Sequence, residues 1–394
     1  TMDEYDKVKV ASDEVAVLDT LEDVNDKFRD FSIADSSEFL ISDYKSKLSA
    51  DLIVGGGAFA SNVGFAGQTA FLFSDMLGDK NLLIQAALFG DPLESTIIAT
   101  YFNQSHRLNW SLTGFQFRDD FGAFTAPDEA DFRSRIFRGL GLGASMPLSR
   151  FTRVEFGTNV YFVNEDVVNV NFTTGITSPV SSGTSVFTSS ETSLVRDTAF
   201  WGIAAPIRGT RARFTVQQNF GSLNYSLLLA DYRKYFALSV PRYSLAFRLS
   251  TGATFGETER IFFIGGPFTF RGVDWGLLTG TRMAYSNLEF RFPLLPFLPI
   301  QYDFLTGVTF FDVAHTWGTD RFGNSLGFNG GIDVDRDGID DFSNDIFTSY
   351  GLGLRFNLGG LMVLRWDFPL KRAKDPASGT PLGPKSFFSI GLDY

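Results

Sequence analysis

Tyr350-Gly-Leu-Gly-Leu-Arg-Phe-Asn-Leu358 alternates without a break. Its even positions, Tyr350, Leu352, Leu354, Phe356 and Leu358, are apolar. Its odd positions, Gly351, Gly353, Arg355 and Asn357, are small or polar. Successive side chains of a strand point to opposite faces, so this stretch reads as a strand with one apolar face. The pattern recurs in Leu364, Trp366, Phe368 and Leu370, set against Arg365 and Asp367. It recurs again in Leu288, Phe290 and Phe292, set against Asn287, Glu289 and Arg291. A soluble sandwich alternates in the same way. These segments, however, run about 10–16 residues, where about five or six is usual. Many carry aromatics near their ends, as the girdles of a membrane barrel do.

Working outward, the alternation predicts sixteen strands from Ser46 onward. They lie near 46–58, 62–76, 80–90, 93–104, 106–118, 133–147, 149–164, 191–206, 209–220, 222–236, 238–254, 280–293, 302–317, 346–358, 360–371 and 385–394. An even count suits an antiparallel bacterial barrel. The links alternate between tight and long, and tight turns belong on the periplasmic side of such a barrel. On this reading 119–132 and 165–190 are long loops, and 165–190 is rich in Ser, Thr and Val.

Composition agrees. The chain has 394 residues, 44 of them Phe, with 15% aromatic and 20% charged residues. No run of about 18 apolar residues occurs, which excludes a membrane-spanning helix. A closed barrel is the other structure that satisfies every backbone polar group in lipid. The formal net charge of −11 argues against nucleic acid, whose binding needs clustered Lys and Arg. No Cys and two His exclude disulfide frameworks, thiolate metal sites and cysteine catalysis. No catalytic residue is assigned. Gly323-Asn-Ser325-Leu-Gly327 fits the serine-hydrolase elbow only formally, because that motif needs a strand-turn-helix context. His315 lies near Asp312 and Ser325 in sequence, and His106 is placed at the start of a strand. Gly139, Gly141 and Gly143 share one strand face, which predicts close approach of an inserted loop to the wall.

Residues 1–45 stand apart, with 13 Asp and Glu against 5 Lys and Arg, a net of −8. They read as an acidic periplasmic lead-in ahead of a barrel at 46–394. Val15, Leu18, Leu21 and Val24 have helical spacing behind Ser12. The segment is therefore either a solvated linker, the tail of an upstream domain, or a short helix docked on the barrel. Thr1-Met-Asp-Glu4 opens on acid and not on a basic, then apolar, leader. An exported protein would thus be seen here as a mature or trimmed chain.

The link near 255–279 is apolar and Gly-rich, with Arg271 at its centre: Gly265-Gly-Pro-Phe-Thr-Phe-Arg-Gly272. Such a loop is poorly solvated outside, so it is expected to fold into the lumen. There Arg271 needs a carboxylate. Glu289 and Asp312, on the next two strands, are the candidates.

Phe270-Arg-Gly-Val273, between an eleventh and a twelfth strand, resembles the loop-six tip of the bacterial surface antigen family. That family is the outer membrane protein 85 superfamily of BamA-like and TamA-like insertases and two-partner secretion translocators. Gly265-Gly266, Asn287-Leu-Glu-Phe-Arg-Phe-Pro293 and Phe310-Phe-Asp312 match the family pattern in order. The resemblance covers roughly residues 46–394. It implies that Arg271 and Gly272 lock against Asp312 or Glu289. The C-terminus, with Phe388, Gly391 and Tyr394, resembles the terminal assembly signal of outer-membrane barrels. Val273 stands where the family usually has an aromatic, and Ala314 where it often has Gly. Residues 1–45 are too few for one receptor module of the insertases. The opening strands resemble barrels fused behind a TolB-like propeller.

The resemblance implies a bacterial outer-membrane location with the N-terminus periplasmic. It implies protein insertion or translocation as the function, with outer-membrane lipid, unfolded clients and a periplasmic partner or upstream domain as partners. A structural anchor or passive pore is the alternative. No cofactor is required. Asp333, Asp335, Asp337, the Ile339 carbonyl and Asp341 match a calcium loop within 333–345, with Gly338 at its turn and Asn344 in place of the last Glu. The alternative there is an acidic, solvated loop.

Overall fold

The computed structural model describes residues 44–60, 64–89, 95–126, 129–202, 205–238, 243–295, 304–320, 323, 325–326, 346–358, 362–374 and 379–391. The chain divides into two units, Thr1–Lys47 and Leu48–Tyr394. Of the first, residues 44–47 are described and carry no regular structure. The expected lead-in helix, the calcium loop (Asp333, Asp335, Asp337, Ile339 and Asp341) and Tyr394 lie outside the described residues.

The second unit is an antiparallel β-barrel of sixteen principal strands. They are β1 Ser49–Ala60, β2 Gly64–Ser74, β3 Lys80–Phe89, β4 Thr96–Asn103, β5 Asn109–Ala126 and β6 Glu129–Pro147. Next come β7 Thr152–Asn171, β8 Thr177–Asp197, β9 Pro206–Gly221, β10 Tyr225–Ala237 and β11 Ser244–Gly256. The last five are β12 Arg282–Pro293, β13 Leu305–Thr319, β14 Phe347–Leu358, β15 Met362–Pro369 and β16 Phe387–Gly391. Each pairs with the next in chain order. Among the described residues no pairing joins β1 to β16. No described helix is long and apolar enough to cross a membrane.

The faces are inverted relative to a soluble protein. In β14 Leu352 is 50% exposed, while Arg355, three residues on, is 1% exposed. Every second residue of that strand, through Gly351, Gly353, Arg355 and Asn357, is buried inward. The apolar face therefore meets lipid and the polar face builds the interior.

Four strands are much longer than a membrane requires. β5 to β8 have 18, 19, 20 and 21 residues. A tilted strand crosses with roughly 9–11. The expected loops at 119–132 and 165–190 are thus corrected: they are the outer halves of two hairpins. In β8, Thr177–Thr184 is exposed at every residue, so the apolar period that marks its lower half disappears there. Pairing persists because Val and Thr suit a pleated surface. Asn171 closes one tip, accepting from the N–H groups of Thr173 and Thr174 at 3.1 and 2.9 Å. Asn169 and Asn171 lace the two hairpins through Asp131 and Glu129 at 2.8 and 3.0 Å.

The glycine run is also corrected. A Cβ at Gly139 would lie 2.0 Å from the Val160 carbonyl and 2.6 Å from the Phe115 ring. Gly141 lies beneath Asn159, and Gly143 beneath Ser111. Side chains of the flanking strands, and not the inserted loop, fill the space. His106 falls in the turn before β5 and not at a strand start. Gly139→Ala is expected to lower the barrel's unfolding temperature, by the about 1–3 kcal/mol typical of overpacking. Heat-modified migration on a gel checks this, and an unshifted transition would remove the packing role.

Candidate functional site

The link between β11 and β12 does fold inward. Phe262–Ile264 pairs with Leu278–Gly280 as a short ribbon that carries the loop. Gly265 and Gly266 turn it, with φ of 140° and 88°. A Cβ at Gly265 would lie 2.0 Å from the Asp274 carbonyl. The Thr269 hydroxyl bridges that turn, accepting from the Gly265 N–H and donating to its carbonyl, both at 2.9 Å. The tip residues Phe270, Arg271 and Val273 are fully buried. Phe270 and Val273 pack with Ile264, Leu278, Met283, Tyr285, Ala314 and Phe347. Val273 and Ala314, which depart from the family pattern, therefore both sit in this apolar cluster. The loop supplies a core that the two-faced wall could not build alone.

Arg271 enters a ring of charge. Its Nε and Nη2 donate to the two carboxylate oxygens of Asp312 at 2.7 and 2.6 Å. Its Nη1 donates to Glu289 at 2.7 Å and reaches Asp367 at 3.5 Å. Its backbone N–H also donates to Asp312, at 3.2 Å. The guanidinium carbon lies 3.6 Å from the centroid of Phe310, stacked as a cation over a ring. Asp312 and Glu289, the two acids expected from sequence as alternatives, are engaged together.

The carboxylates are held in turn. Asn287 donates to Asp312 at 2.9 Å and to the Thr269 carbonyl at 2.6 Å. Arg291 donates to the far oxygen of Glu289 at 2.9 Å. Arg355 sits 2.9 Å from Asp367 and 3.4 Å from Glu289. Arg365 lies 3.8 Å from Asp367 and donates to the Pro267 carbonyl at 3.3 Å. All seven charged residues, Arg271, Glu289, Arg291, Asp312, Arg355, Arg365 and Asp367, are buried. They come from β12, β13, β14, β15 and the loop. Asp367, Arg291, Arg355 and Arg365 were not singled out from sequence. Their signal was present as charge on the interior parity of strands whose other parity is apolar.

Gly272 is needed for closeness. A Cβ there would lie 2.5 Å from the Phe270 ring and 3.0 Å from Ser349. Its carbonyl accepts from the Ala373 N–H at 3.0 Å. The link after β15 also folds over the tip, because the Asp274 N–H donates to the Leu382 carbonyl at 3.1 Å. Sequence reading did not foresee that second inward link.

A family model for the Omp85 superfamily domain matches residues 86–391. The chain belongs to the Omp85 superfamily. Among solved structures this Omp85 barrel is similar to BamA from Haemophilus ducreyi lacking POTRA domains 1-3. The TM-score is 0.61 at 15% identity, over 89% of this chain and 71% of that one. It is also similar to CdiB from Acinetobacter baumannii, with TM-score 0.52 at 14% identity, over 89% of this chain and 60% of that one. At these identities the likeness is one of fold. No curated protein matches the chain by sequence.

The remaining sequence candidates of the Omp85 barrel fall elsewhere. Phe388, 60% exposed, points outward from β16, and Gly391 ends that strand. His315 stacks on Trp317 at 5.6 Å. Ser325 lies in a two-residue strand, Ser325–Leu326, paired with the end of β13. Arg271→Ala strands buried carboxylates and is expected to destabilise the barrel by about 3–5 kcal/mol. Arg271→Lys keeps the charge but loses the two-pronged contact, and restores little of it. Thermal unfolding of both variants checks this, and a wild-type transition in Arg271→Ala would refute the anchoring role.

Proposed function

We propose that the chain is the membrane barrel of an outer-membrane machine that inserts polypeptides into, or passes them across, the bilayer. On this reading the tight turns and the N-terminus are periplasmic, and the long hairpins face outward. Family membership supports the general class. The observation that carries the mechanism is the state of β1. It pairs with β2 alone among the described residues, and Ser49 to Gly56 are exposed on both faces. A strand with one free edge is a template for another strand. β16, its counterpart across the seam, pairs with β15 through Phe387 to Gly391 among the described residues.

The two halves of the wall then divide the work. The β12–β15 side is braced by the Arg271 ring and does not yield. The β1–β4 side carries no such ring among the described residues. Its interior is lined by Val54, Gln68, Ala70, Gln85, Thr96 and Ile98 around a recess of about 470 Å³. This uncharged wall can part from its neighbour without stranding a buried charge. An incoming strand would pair with β1 while its side chains pass the uncharged lining. No bond is made or broken.

The test is timed folding of an unfolded model barrel in liposomes with and without the reconstituted chain. Faster folding is expected, and excess peptide of sequence Ser49–Ala60 should compete and remove the gain. Unchanged folding combined with steady ion conductance would assign the chain to the pore or anchor class instead.

A further inference from the structure

β8 outlasts its neighbour. β7 pairs with it from Thr177 to Arg196, but β9 pairs with it only from Phe187 to Asp197. Thr177–Val186 therefore has a strand on one side only, among the described residues. β9 is turned away at this point by a local device. Gly221 has φ of +108°, and a Cβ there would lie 2.6 Å from the Val186 carbonyl. The next N–H, of Ser222, donates to that carbonyl at 2.9 Å.

That hydrogen bond sets the phase of the open edge. The Val186 carbonyl points to the β9 side. In an antiparallel strand the N–H and C=O of one residue point the same way, and alternate residues share a side. The main-chain groups of Thr184 and Ser182 therefore face the open side as well. Ser181, Gly183 and Ser185, the residues between, sit opposite Val167, Glu165 and Val163 of β7.

Exposed edges are normally blunted by charge, proline or a bulge. Only the tip of β8 is so protected, by Pro179 and by a register shift opposite Val167 and Val168. Below it, no charged residue occurs between Asp166 and Glu191. A Cβ on Gly183 would meet nothing within 4 Å. Among the described residues the edge is open, and it is uncharged.

We propose that the Ser181–Val186 edge of β8 is a strand-acceptor site. It takes an extended, non-acidic segment of another polypeptide, seated above the turn that ends β9 and collinear with it. Main-chain hydrogen bonds supply the recognition. The small side chains of the edge offer no pockets, so binding is tolerant of sequence. Asp166 on β7, opposite Ser182, disfavours acidic segments, while Glu165, opposite Gly183, lies 3.8 Å from Arg133. The site stands on geometry alone and does not depend on the insertion reading.

The chain has no cysteine, so Thr184→Cys gives a single thiol in the full-length, folded protein. The probe is a short Thr/Val-rich peptide whose one cysteine is activated as a mixed disulfide with thionitrobenzoate, which leaves as the thiolate on exchange, set against the same peptide N-methylated at alternate residues. Disulfide capture of the unmethylated peptide should be about ten-fold faster, the ratio expected of roughly 1.4 kcal/mol. Adding Ser182→Pro, which removes an open-side donor and leaves the β7 pairing, should abolish the difference. Thr173→Cys in the hairpin turn should show none. Equal capture of both peptides at Thr184→Cys would overturn the site. So would slow amide exchange at Ser182 and Thr184 in the peptide-free protein, because the edge would then already be covered.

Discussion

A guanidinium without water must be surrounded by carboxylates, and in this barrel that requirement falls on Arg271. Its fork meets Asp312, its third nitrogen meets Glu289, and its face meets Phe310. A buried ion network of this kind adds little net stability over an apolar core of the same volume. What it adds is specificity of place. The loop can dock at one depth and in one orientation, because any slip leaves charge unpaired. Asn287 joins the two halves of this fit, holding Asp312 and the loop carbonyl of Thr269 at once.

The rest of the barrel is organised around that fixed side. From β12 to β15 the interior parity is charged and buried, and the loop core of Phe270, Val273 and Phe347 packs on it. From β1 to β4 the described interior lining is uncharged, through Val54, Gln68, Ala70, Gln85, Thr96 and Ile98. Under the proposed opening at β1 an uncharged wall parts without stranding charge, whereas a wall that holds a loop gains register from buried charge pairs. Between the two, β5 to β8 rise as paired hairpins well past the membrane.

Strand positions were legible because lipid on one side and a polar interior on the other impose a period of two. Each of the sixteen expected segments overlaps a different principal strand, although 191–206 runs on past β8 to Pro206 of β9. The period fails in Thr177–Thr184, where every residue is exposed. That is why 165–190 was expected as a loop although Thr177–Asp197 is a strand. Gly139, Gly141 and Gly143 were legible as one face. Their neighbours Phe115, Asn159 and Ser111 were not, because register is set by pairing and not by the run itself.

Sequence alone determined that the chain is a membrane barrel of about sixteen strands, with an apolar loop whose central arginine needs an acid. Alternation and loop composition are local properties, and solvent acts on them residue by residue. Only the tertiary structure decided that Asp312, Glu289 and Asp367 share that arginine, and that Arg291, Arg355 and Arg365 close the ring. Those residues span Arg271 to Asp367 along the chain and meet only because the register of the sheet brings four strands to one level. The same holds for the open edge of β8, which exists because β9 turns away at Gly221 and β8 does not.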